Sequence, residues 1–257
     1  MWKVVTWNVN SVKARLERLQ AFLLRESPDV VLLQELKCEE HAFPMDAIKA
    51  AGYQAAVFGQ KAYNGVAILS KDPITAISKG FGDGKLDEAR FIAGTVRGVR
   101  VASAYIPNGQ AVGAEKYQYK LEWLSRLRLC LGKTCDATKP ICLGGDFNVA
   151  PEDRDVHDPV QFEGQLLFSQ AEKDALKVVA EFGLQDTFRK HHTDAGHYSW
   201  WDYRMLGFQK NRGWRIDFLF ASPPLFEVCK SARIDRDERK GAGPSDHAPV
   251  IAEFDWK

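Results

Sequence analysis

The chain has 257 residues, of which 45% are hydrophobic, and these values predict one folded domain over residues 1–257 and exclude a disordered chain. Its 35 basic and 34 acidic residues give a net charge of +1, so overall charge indicates neither a nucleic acid nor any other partner. No apolar run approaches the ~20 residues of a membrane span, and no leader-like segment follows Met1. We therefore expect a cytoplasmic protein without a membrane partner, and its five cysteines, which lack zinc-type spacing, should be reduced and mostly buried.

The predicted elements are many short strands with a few helices between them. In chain order, apolar runs and alternation predict strands at 3–9, 30–33, 53–58, 65–69, 91–96, 99–105, 140–145, 215–221, 225–234 and 248–254. Helical periodicity predicts a first helix that is capped by Ser11 and ends near Pro28, and further helices at 114–131 and 170–182. Because several strands follow one another without a helix, the pattern favours a pair of mixed sheets over regular βαβ winding.

Polar side chains end or directly follow many of these strands, where binding groups converge in sheet proteins. A single Asp or Asn at such a place is most often a turn residue, but here the same kind of group recurs. The set comprises Asn8, Glu35, Tyr105, Asp146, Asn148, Asp217, Asp246 and His247. Oxygen ligands of this kind suit Mg²⁺, and the added His and Tyr predict metal-assisted hydrolysis of a phosphate ester.

Four short strings make this pattern specific: Trp7-Asn8-Val9-Asn10, Leu33-Gln34-Glu35, the run from Gly144 to Asn148, and the run from Pro244 to Val250. The chain resembles the endonuclease/exonuclease/phosphatase superfamily, whose members carry W-N, Q-E, G-D-x-N and S-D-H motifs in this order. Three further strings resemble its exonuclease III branch of apurinic/apyrimidinic endonucleases: residues 60–67, 200–204 and 213–217. The resemblance covers residues 1–254, essentially the whole chain.

This resemblance implies a four-layer α/β sandwich, in which two mixed β-sheets pack face to face and are flanked by helices. It also implies a Mg²⁺-dependent DNA phosphodiester hydrolase of base-excision repair, in which Mn²⁺ can substitute for Mg²⁺. The expected partner is double-stranded DNA with abasic sites or 3′ ends, and the expected state is a monomer.

The metal-binding side chains follow from the same resemblance. Glu35 matches the main Mg²⁺ ligand, with Asn8 beside it and Asp246 close enough to assist. Asp146 matches the residue that orients or deprotonates the attacking water, and Asn148 matches the one that supports it or a second metal position. A carboxylate beside a dication is kept ionised, which suits a base more than an acid.

The phosphate-contacting side chains are implied in the same way. His247 matches a residue that contacts the scissile phosphate, and Asp217 matches the carboxylate that orients its imidazole. Whether His247 acts as a base or as a charged phosphate ligand stays open. Tyr105 matches a tyrosine whose hydroxyl can donate to developing charge, and Asn108 matches a phosphate-contacting amide.

An apolar sugar pocket is the last implied feature. Trp200, Trp214 and Ile216 match a pocket for a flipped-out sugar that has lost its base, and Asn10 is expected to contact DNA. Such a sugar is small, so a pocket of its size excludes normal nucleotides. Basic residues interleave with these positions and predict a phosphate-binding rim, namely Arg204, Lys210, Arg212 and Arg215.

Two departures from the family leave the balance between abasic-site incision, 3′ trimming and 3′–5′ exonuclease activity open. Residues 109–113 lack an arginine that some abasic-site endonucleases insert into DNA, and residues 157–165 lack an Asn- and Lys-rich stretch. The first alternative is a phosphomonoesterase such as an inositol-phosphate phosphatase, which the tryptophan pocket disfavours. The second is a catalytically silent DNA-binding protein, which is disfavoured because every metal and His position is present.

Overall fold

A computed structural model describes residues 1–85 and 88–257. In these residues the strands are β1 Trp2–Asn8, β2 Val30–Gln34, β3 Gln54–Phe58, β4 Val66–Ser70, β5 Thr75–Lys79, β6 Phe91–Val96, β7 Val99–Tyr105, β8 Ile141–Asp146, β9 Gln185–Asp186, β10 Asp217–Ala221, β11 Cys229–Ile234 and β12 Val250–Phe254. The α-helices are α1 Leu16–Glu26, α2 Met45–Ala50, α3 Glu115–Thr134, α4 Pro159–Phe162, α5 Gln170–Ala180, α6 Thr187–His191 and α7 Pro223–Glu227. None of these helices is long and apolar enough to cross a membrane.

The strands form two six-stranded sheets. The first sheet has the order β11-β12-β1-β2-β4-β3, and the second has the order β5-β6-β7-β8-β10-β9. In the first sheet β1 and β2 are parallel and the other neighbours are antiparallel. In the second sheet β7 and β8 are likewise the parallel pair. Both sheets are therefore mixed, as the sequence predicts.

The apolar core has three layers, because each sheet is covered on both faces. Between the sheets, Val4 and Leu32 of the first sheet pack with Leu219 of the second. On the outer face of the first sheet, side chains of β1 and β2 pack against α1. On the outer face of the second sheet, β8 and β10 pack against α3 and α5. The four-layer α/β sandwich is confirmed, and it explains why the central strands are almost uniformly apolar.

Two local predictions are wrong. Ser11 does not cap the first helix, which begins at Leu16 after Arg15, because Ser11 has a φ of 90° and Asn10 a φ of 44°. The predicted strand 225–234 begins only at Cys229, because the two prolines after Ser222 start a short helix there. In both places backbone geometry outweighs the apolar pattern.

Adjacent glycines allow the sheets to approach closely next to the functional edge. A Cβ on Gly145 would lie 2.0 Å from the carbonyl oxygen of Ala104 on the neighbouring strand. A Cβ on Gly144 would lie 2.6 Å from Leu32 and 2.7 Å from Leu219, in the layer between the sheets. The glycines that precede Asp146 are therefore required by packing, and they set the position of its carboxylate.

The cysteines agree with the prediction of reduced thiols. All five are free, and four of them are buried while Cys135 is half-buried. Burial raises the pKa of Cys142 and of Cys229, so these thiols stay protonated and act as small apolar side chains.

Candidate active site

Strand pairing brings the predicted polar residues to one edge of the sandwich. Asn8 pairs with Gln34 at the ends of parallel strands β1 and β2, and Glu35 follows directly. In the second sheet, Asp146 at the end of β8 pairs with Tyr105 on one side and with Asp217 on the other. The carboxyl ends of four strands and the beginning of β10 therefore meet.

These side chains surround a cavity of about 230 Å³ between the two sheet ends. Its lining residues are Glu35, Tyr105, Asn108, Asp146, Asn148, Leu167, Trp200, Ile216, Asp246 and His247. All except Leu167 are predicted by the sequence. A larger cleft of about 580 Å³ lies beside α5 and contains none of these residues. The chemistry therefore points to the smaller cavity, because the carboxylates, amides and imidazole converge there.

Three buried charged side chains, Asp146, Asp217 and His247, lie together at one wall of the cavity. Nδ1–H of His247 donates to Oδ2 of Asp217 at 2.9 Å, and Nε2 lies 3.7 Å from Oδ2 of Asp146. Burial by itself would lower the pKa of His247, but Asp217 and Asp146 outweigh burial and raise it. The imidazole is therefore a cation at neutral pH, and its Nε2 lies on the side of the Asp146 carboxylate.

Amide donors hold the carboxylate of Asp146 in place. Nδ2 of Asn8 donates to its Oδ2 at 2.9 Å, and the backbone N–H of Asn148 donates to its Oδ1 at 3.0 Å. Burial, with Asp217, raises the pKa of Asp146 against the opposing effect of His247. This carboxylate is thus fixed in orientation and is a stronger base than an exposed aspartate.

Glu35 and Asp246 supply carboxylates on the opposite side. Glu35 has a φ of 57°, and its Oε1 lies 3.1 Å from the ammonium group of Lys37. Asp246 accepts hydrogen bonds from Nδ2 of Asn10 at 2.9 Å and from Nε1 of Trp200 at 3.0 Å. Burial would raise the pKa of Asp246, but the His247 charge and these donors lower it, so this carboxylate stays ionised.

The donor set of the cavity fits a hard cation. Glu35, Asp146 and Asp246 offer carboxylate oxygens and Asn148 an amide oxygen, the ligands that Mg²⁺ accepts in proteins. Asn8 lies beside this set, where its Nδ2 donates to Asp146 and its Oδ1 accepts the backbone N–H of Asn10. The cluster of Asp146, Asp217 and His247 also has metal-ligand spacing, but hydrogen bonding already accounts for its geometry.

The apolar wall of the cavity is formed by Trp200, Ile216 and Leu167. Trp214 does not line the cavity: it is 6% exposed and packs against Phe162 at a ring distance of 4.9 Å, behind Trp200. Trp200 and Trp214 are joined by backbone hydrogen bonds, so the second tryptophan supports the first. Of the predicted pocket residues, two reach the cavity and the third lies one layer behind.

One predicted rim residue is wrong. Arg215 is 1% exposed, and its guanidinium pairs with Asp155 at 2.7 Å and with Asp186 at 2.6 Å. It therefore belongs to a buried ion network and cannot contact a phosphate. By contrast, Arg204, Lys210 and Arg212 are exposed beside the tryptophan segment.

Comparison with known proteins decides the family. A sequence profile described as the Endonuclease/Exonuclease/phosphatase family matches residues 5–247. The chain belongs to this family. It is 34% identical to exodeoxyribonuclease III of Haemophilus influenzae over 98% of this chain and 99% of that one. It is 32% identical to an exodeoxyribonuclease of Bacillus subtilis over 96% and 97% of the two chains.

Solved structures of the family agree over the full length. An AP endonuclease from Archaeoglobus fulgidus superposes with a TM-score of 0.97 at 38% identity, covering 99% of this chain and all of that one. A 3′ phosphatase called NExo from Neisseria, bound to a product DNA hairpin, superposes with a TM-score of 0.96 at 38% identity over the whole of both chains. These relatives indicate a nuclease hydrolase.

A buried ion pair beneath the family's catalytic loops was not predicted. The side chain of Lys120 is fully buried, and its Nζ donates to the carbonyl oxygens of Asn148 at 2.6 Å and Asn108 at 3.2 Å and to Glu172. Glu172 also closes a capping box with Ser169 at the start of α5. The S-x-x-E spacing is visible in the sequence, whereas the ion pair across two helices is not.

Leu167 is the other residue without a sequence signal. It adopts a φ of 68° in the loop before α5, which is an unusual conformation for a residue with a branched side chain. Nothing in the local pattern distinguishes it from its neighbour Leu166. Only the folded loop places its side chain in the cavity wall.

Proposed function

We propose that this chain is a Mg²⁺-dependent nuclease of DNA base-excision repair that hydrolyses phosphodiester bonds at abasic sites or 3′ ends of double-stranded DNA. The observation that carries the proposal is the imidazolium of His247, which is held by Asp217 and lies beside Asp146 in one wall of an oxygen-lined cavity. A fixed cation and a fixed base on one side of a phosphate-sized space suit the attack of water on a phosphate ester.

In this mechanism Asp146 orients the attacking water and accepts its proton. Asn8 and Asn148 keep the carboxylate of Asp146 aimed by hydrogen bonds from both sides. His247, as a cation, contacts a phosphate oxygen, and Asp217 prevents the ring from rotating. Glu35, with help from Asp246, would hold Mg²⁺ or Mn²⁺, and the ion would supply charge neutralisation at the phosphate.

Two further side chains complete the phosphate site. Burial, together with Glu35 and Asp146, raises the pKa of Tyr105, so its hydroxyl stays protonated and can donate to developing negative charge. Nδ2 of Asn108 lies 3.3 Å from Oδ1 of Asn148, at the mouth of the cavity. We assign to Asn108 a contact with the phosphate, and to Asn10 the positioning of the Asp246 carboxylate.

A small-molecule phosphatase fits the cavity less well. A soluble inositol polyphosphate requires several Lys or Arg side chains around its phosphates, and none of the described residues that line the cavity is a Lys or an Arg. One face of the cavity is instead apolar, which suits a sugar that has lost its base. The expected substrate is therefore a single phosphodiester in DNA.

Both abasic-site incision and 3′-end processing are activities of relatives that are similar to this chain to the same degree. Two Neisseria structures at 38% and 39% identity are a 3′ phosphatase and a 3′-5′ exonuclease, and the Archaeoglobus structure at 38% identity is an AP endonuclease. Residues 109–113 contain no arginine, and this absence favours 3′-end processing, which is the second candidate function.

The test measures hydrolysis by the purified chain with Mg²⁺ on four substrates. These are a duplex with an abasic-site analogue, a duplex with a recessed 3′ end, a duplex with a 3′-phosphate and a soluble inositol phosphate. We expect cleavage of at least one duplex and little turnover of the inositol phosphate. Turnover of the inositol phosphate without cleavage of any duplex would overturn the proposal.

A further inference from the structure

A second group of metal-ligand type lies outside the active site. His192, Asp194 and His197 follow the end of α6, and one ligand atom of each lies within 4.8 Å of the other two. None of them lines the catalytic cavity. An ordinary explanation is a surface ion pair, because Nε2 of His197 lies 3.0 Å from Oδ2 of Asp194. That ion pair does not include His192, whose ring is held by other contacts.

His192 is held in one tautomer and one orientation. Its Nε2 lies 2.7 Å from the carbonyl oxygen of Ala232, and because a carbonyl only accepts, Nε2 carries the proton. In the neutral ring the lone pair is therefore on Nδ1. The ring also stacks on Phe188 at a centroid distance of 4.4 Å. A metal-binding histidine shows the same arrangement, in which the second ring nitrogen donates to a carbonyl.

The loop that carries the other two ligands is also held in place. The His197 ring packs edge-on against Phe188 at 5.5 Å and lies 5.2 Å from the His192 ring. Arg189 donates to the carbonyl oxygens of His192 at 3.1 Å and Asp194 at 2.8 Å. The backbone thus brings the three side chains together, and Asp194 is exposed while the two histidines are half-buried.

Three cationic side chains lie near this group, and two of them are paired with carboxylates. The ammonium group of Lys190 is committed to three backbone carbonyl oxygens, including that of Phe226 at 2.6 Å. The guanidinium of Arg189 is paired with Asp155 as well as with the loop carbonyls. Arg154 donates to the carbonyl oxygen of Thr193 at 2.7 Å. Arg154 is also paired with Glu152, whereas the carbonyl oxygens that Lys190 contacts are neutral and leave its charge in place.

We propose that His192, Asp194 and His197 form a binding site for a divalent transition metal, with Zn²⁺ as the representative ion. Two imidazole nitrogens and one carboxylate oxygen suit Zn²⁺ and leave a fourth position for water. Such a set discriminates against Mg²⁺, which prefers oxygen ligands, so the two metals would occupy separate sites. This inference does not depend on the proposed function.

The site would stabilise the segment that leads to the cavity wall. Ser199 and Trp200 come two and three residues after His197, and the Ser199 hydroxyl accepts the backbone N–H groups of Ile216 and Asp217. An ion that binds only the folded state stabilises it by RT ln(1 + [L]/Kd), so the melting temperature rises as the ion concentration exceeds Kd. Zn²⁺ should therefore raise the Tm of the protein even when the catalytic cavity is saturated with Mg²⁺.

The experiment titrates the full chain, labelled with ¹⁵N-histidine, with Zn²⁺ in excess Mg²⁺ at mildly alkaline pH. We expect the ring nitrogens of His192 and His197 to shift with a stoichiometry of one ion per chain, and Tm to rise. H197A should lower the Zn²⁺ affinity by at least ~10-fold, and D194N should lower it too. H191A is the matched control, because this exposed neighbouring histidine is outside the group and should leave the affinity unchanged.

The outcomes separate this site from the catalytic cavity. Zn²⁺ that shifts only the His247 resonances, or that binds H197A with wild-type affinity, would overturn the proposal. Equal loss of affinity in H191A and H197A would also overturn it, because the effect would then be general to this surface. Far-ultraviolet circular dichroism of each variant establishes that it is folded before titration.

Discussion

Among single residues, Asp146 is the one that the proposed mechanism uses as the base. The carboxylate receives hydrogen bonds from two asparagines, yet burial raises its pKa. D146N preserves the shape and removes the charge that accepts a proton from water. We expect kcat to fall by at least ~10²-fold with little change in DNA affinity.

The measurement for D146N compares single-turnover cleavage of an abasic duplex with DNA binding by fluorescence anisotropy. D153N is a control, because Asp153 is exposed and lies outside the cavity. If D146N loses DNA affinity in proportion to its loss of rate, Asp146 has a structural role rather than that of a base.

Glu35 is the residue that we expect to bind the metal ion and to make activity depend on it. E35Q keeps the oxygen acceptor but removes the charge, so turnover should fall by orders of magnitude and require more Mg²⁺. The control E39Q changes an exposed glutamate four positions away and should behave as wild type. Excess EDTA should abolish cleavage by the wild-type chain, and undiminished cleavage after prolonged chelation would contradict the oxygen-ligand site.

Among the secondary-structure elements, α3 and α5 are joined beneath the catalytic loops by the buried pair of Lys120 and Glu172. K120M removes one charge and leaves Glu172 buried without its partner, which costs about 3–5 kcal/mol in comparable buried pairs. Urea unfolding should show this loss of stability. K116M, one helical turn earlier and exposed, should change the free energy of unfolding by less than about 0.5 kcal/mol.

The double variant K120M/E172Q tests whether the destabilisation arises from the unpaired charge. With both charges gone, stability should recover part of the loss, because no charge stays buried without a partner. The contrary outcome is that the two substitutions lower the free energy of unfolding additively. The two residues would then act independently, and the unpaired charge would not be the cause of the destabilisation.

For the molecule as a whole, the proposed function assigns the selection of substrates to the apolar wall of the cavity. Trp200 lines it, so W200A should lower kcat/KM on an abasic duplex by roughly 5- to 150-fold, the equivalent of ~1–3 kcal/mol of contact energy. W214A removes a ring behind the wall and should have a smaller effect on kcat/KM and a larger effect on stability.

The measurement is kcat/KM of each tryptophan variant on an abasic duplex, a 3′-phosphate duplex and a soluble inositol phosphate. Selective loss on the abasic duplex supports a sugar pocket. Because Nε1 of Trp200 also donates to Asp246, W200F serves as a second control that keeps most of the ring. Equal losses on all three substrates would indicate that Trp200 acts mainly by placing Asp246.

Sequence patterns alone were sufficient to predict the family, the fold class and the chemical kind of the site. Strands at 91–96 and 99–105 have the predicted bounds, because apolar residues in these segments are buried on both faces of a sheet. Glu35, Asp146 and His247 could be selected without coordinates, because polar groups that end apolar strands must leave the core at the sheet edge.

The way in which these groups act on one another became visible only in the folded chain. The charge of His247 depends on Asp217 and Asp146, which are 30 and 101 positions away in the chain. Arg215 is buried by carboxylates of two other segments, and Leu167 reaches the cavity through an unusual backbone conformation. The periodicity of apolar residues along a chain predicts which face of a helix or strand is buried. The side chains that this face contacts are set by packing between elements that are distant in the chain.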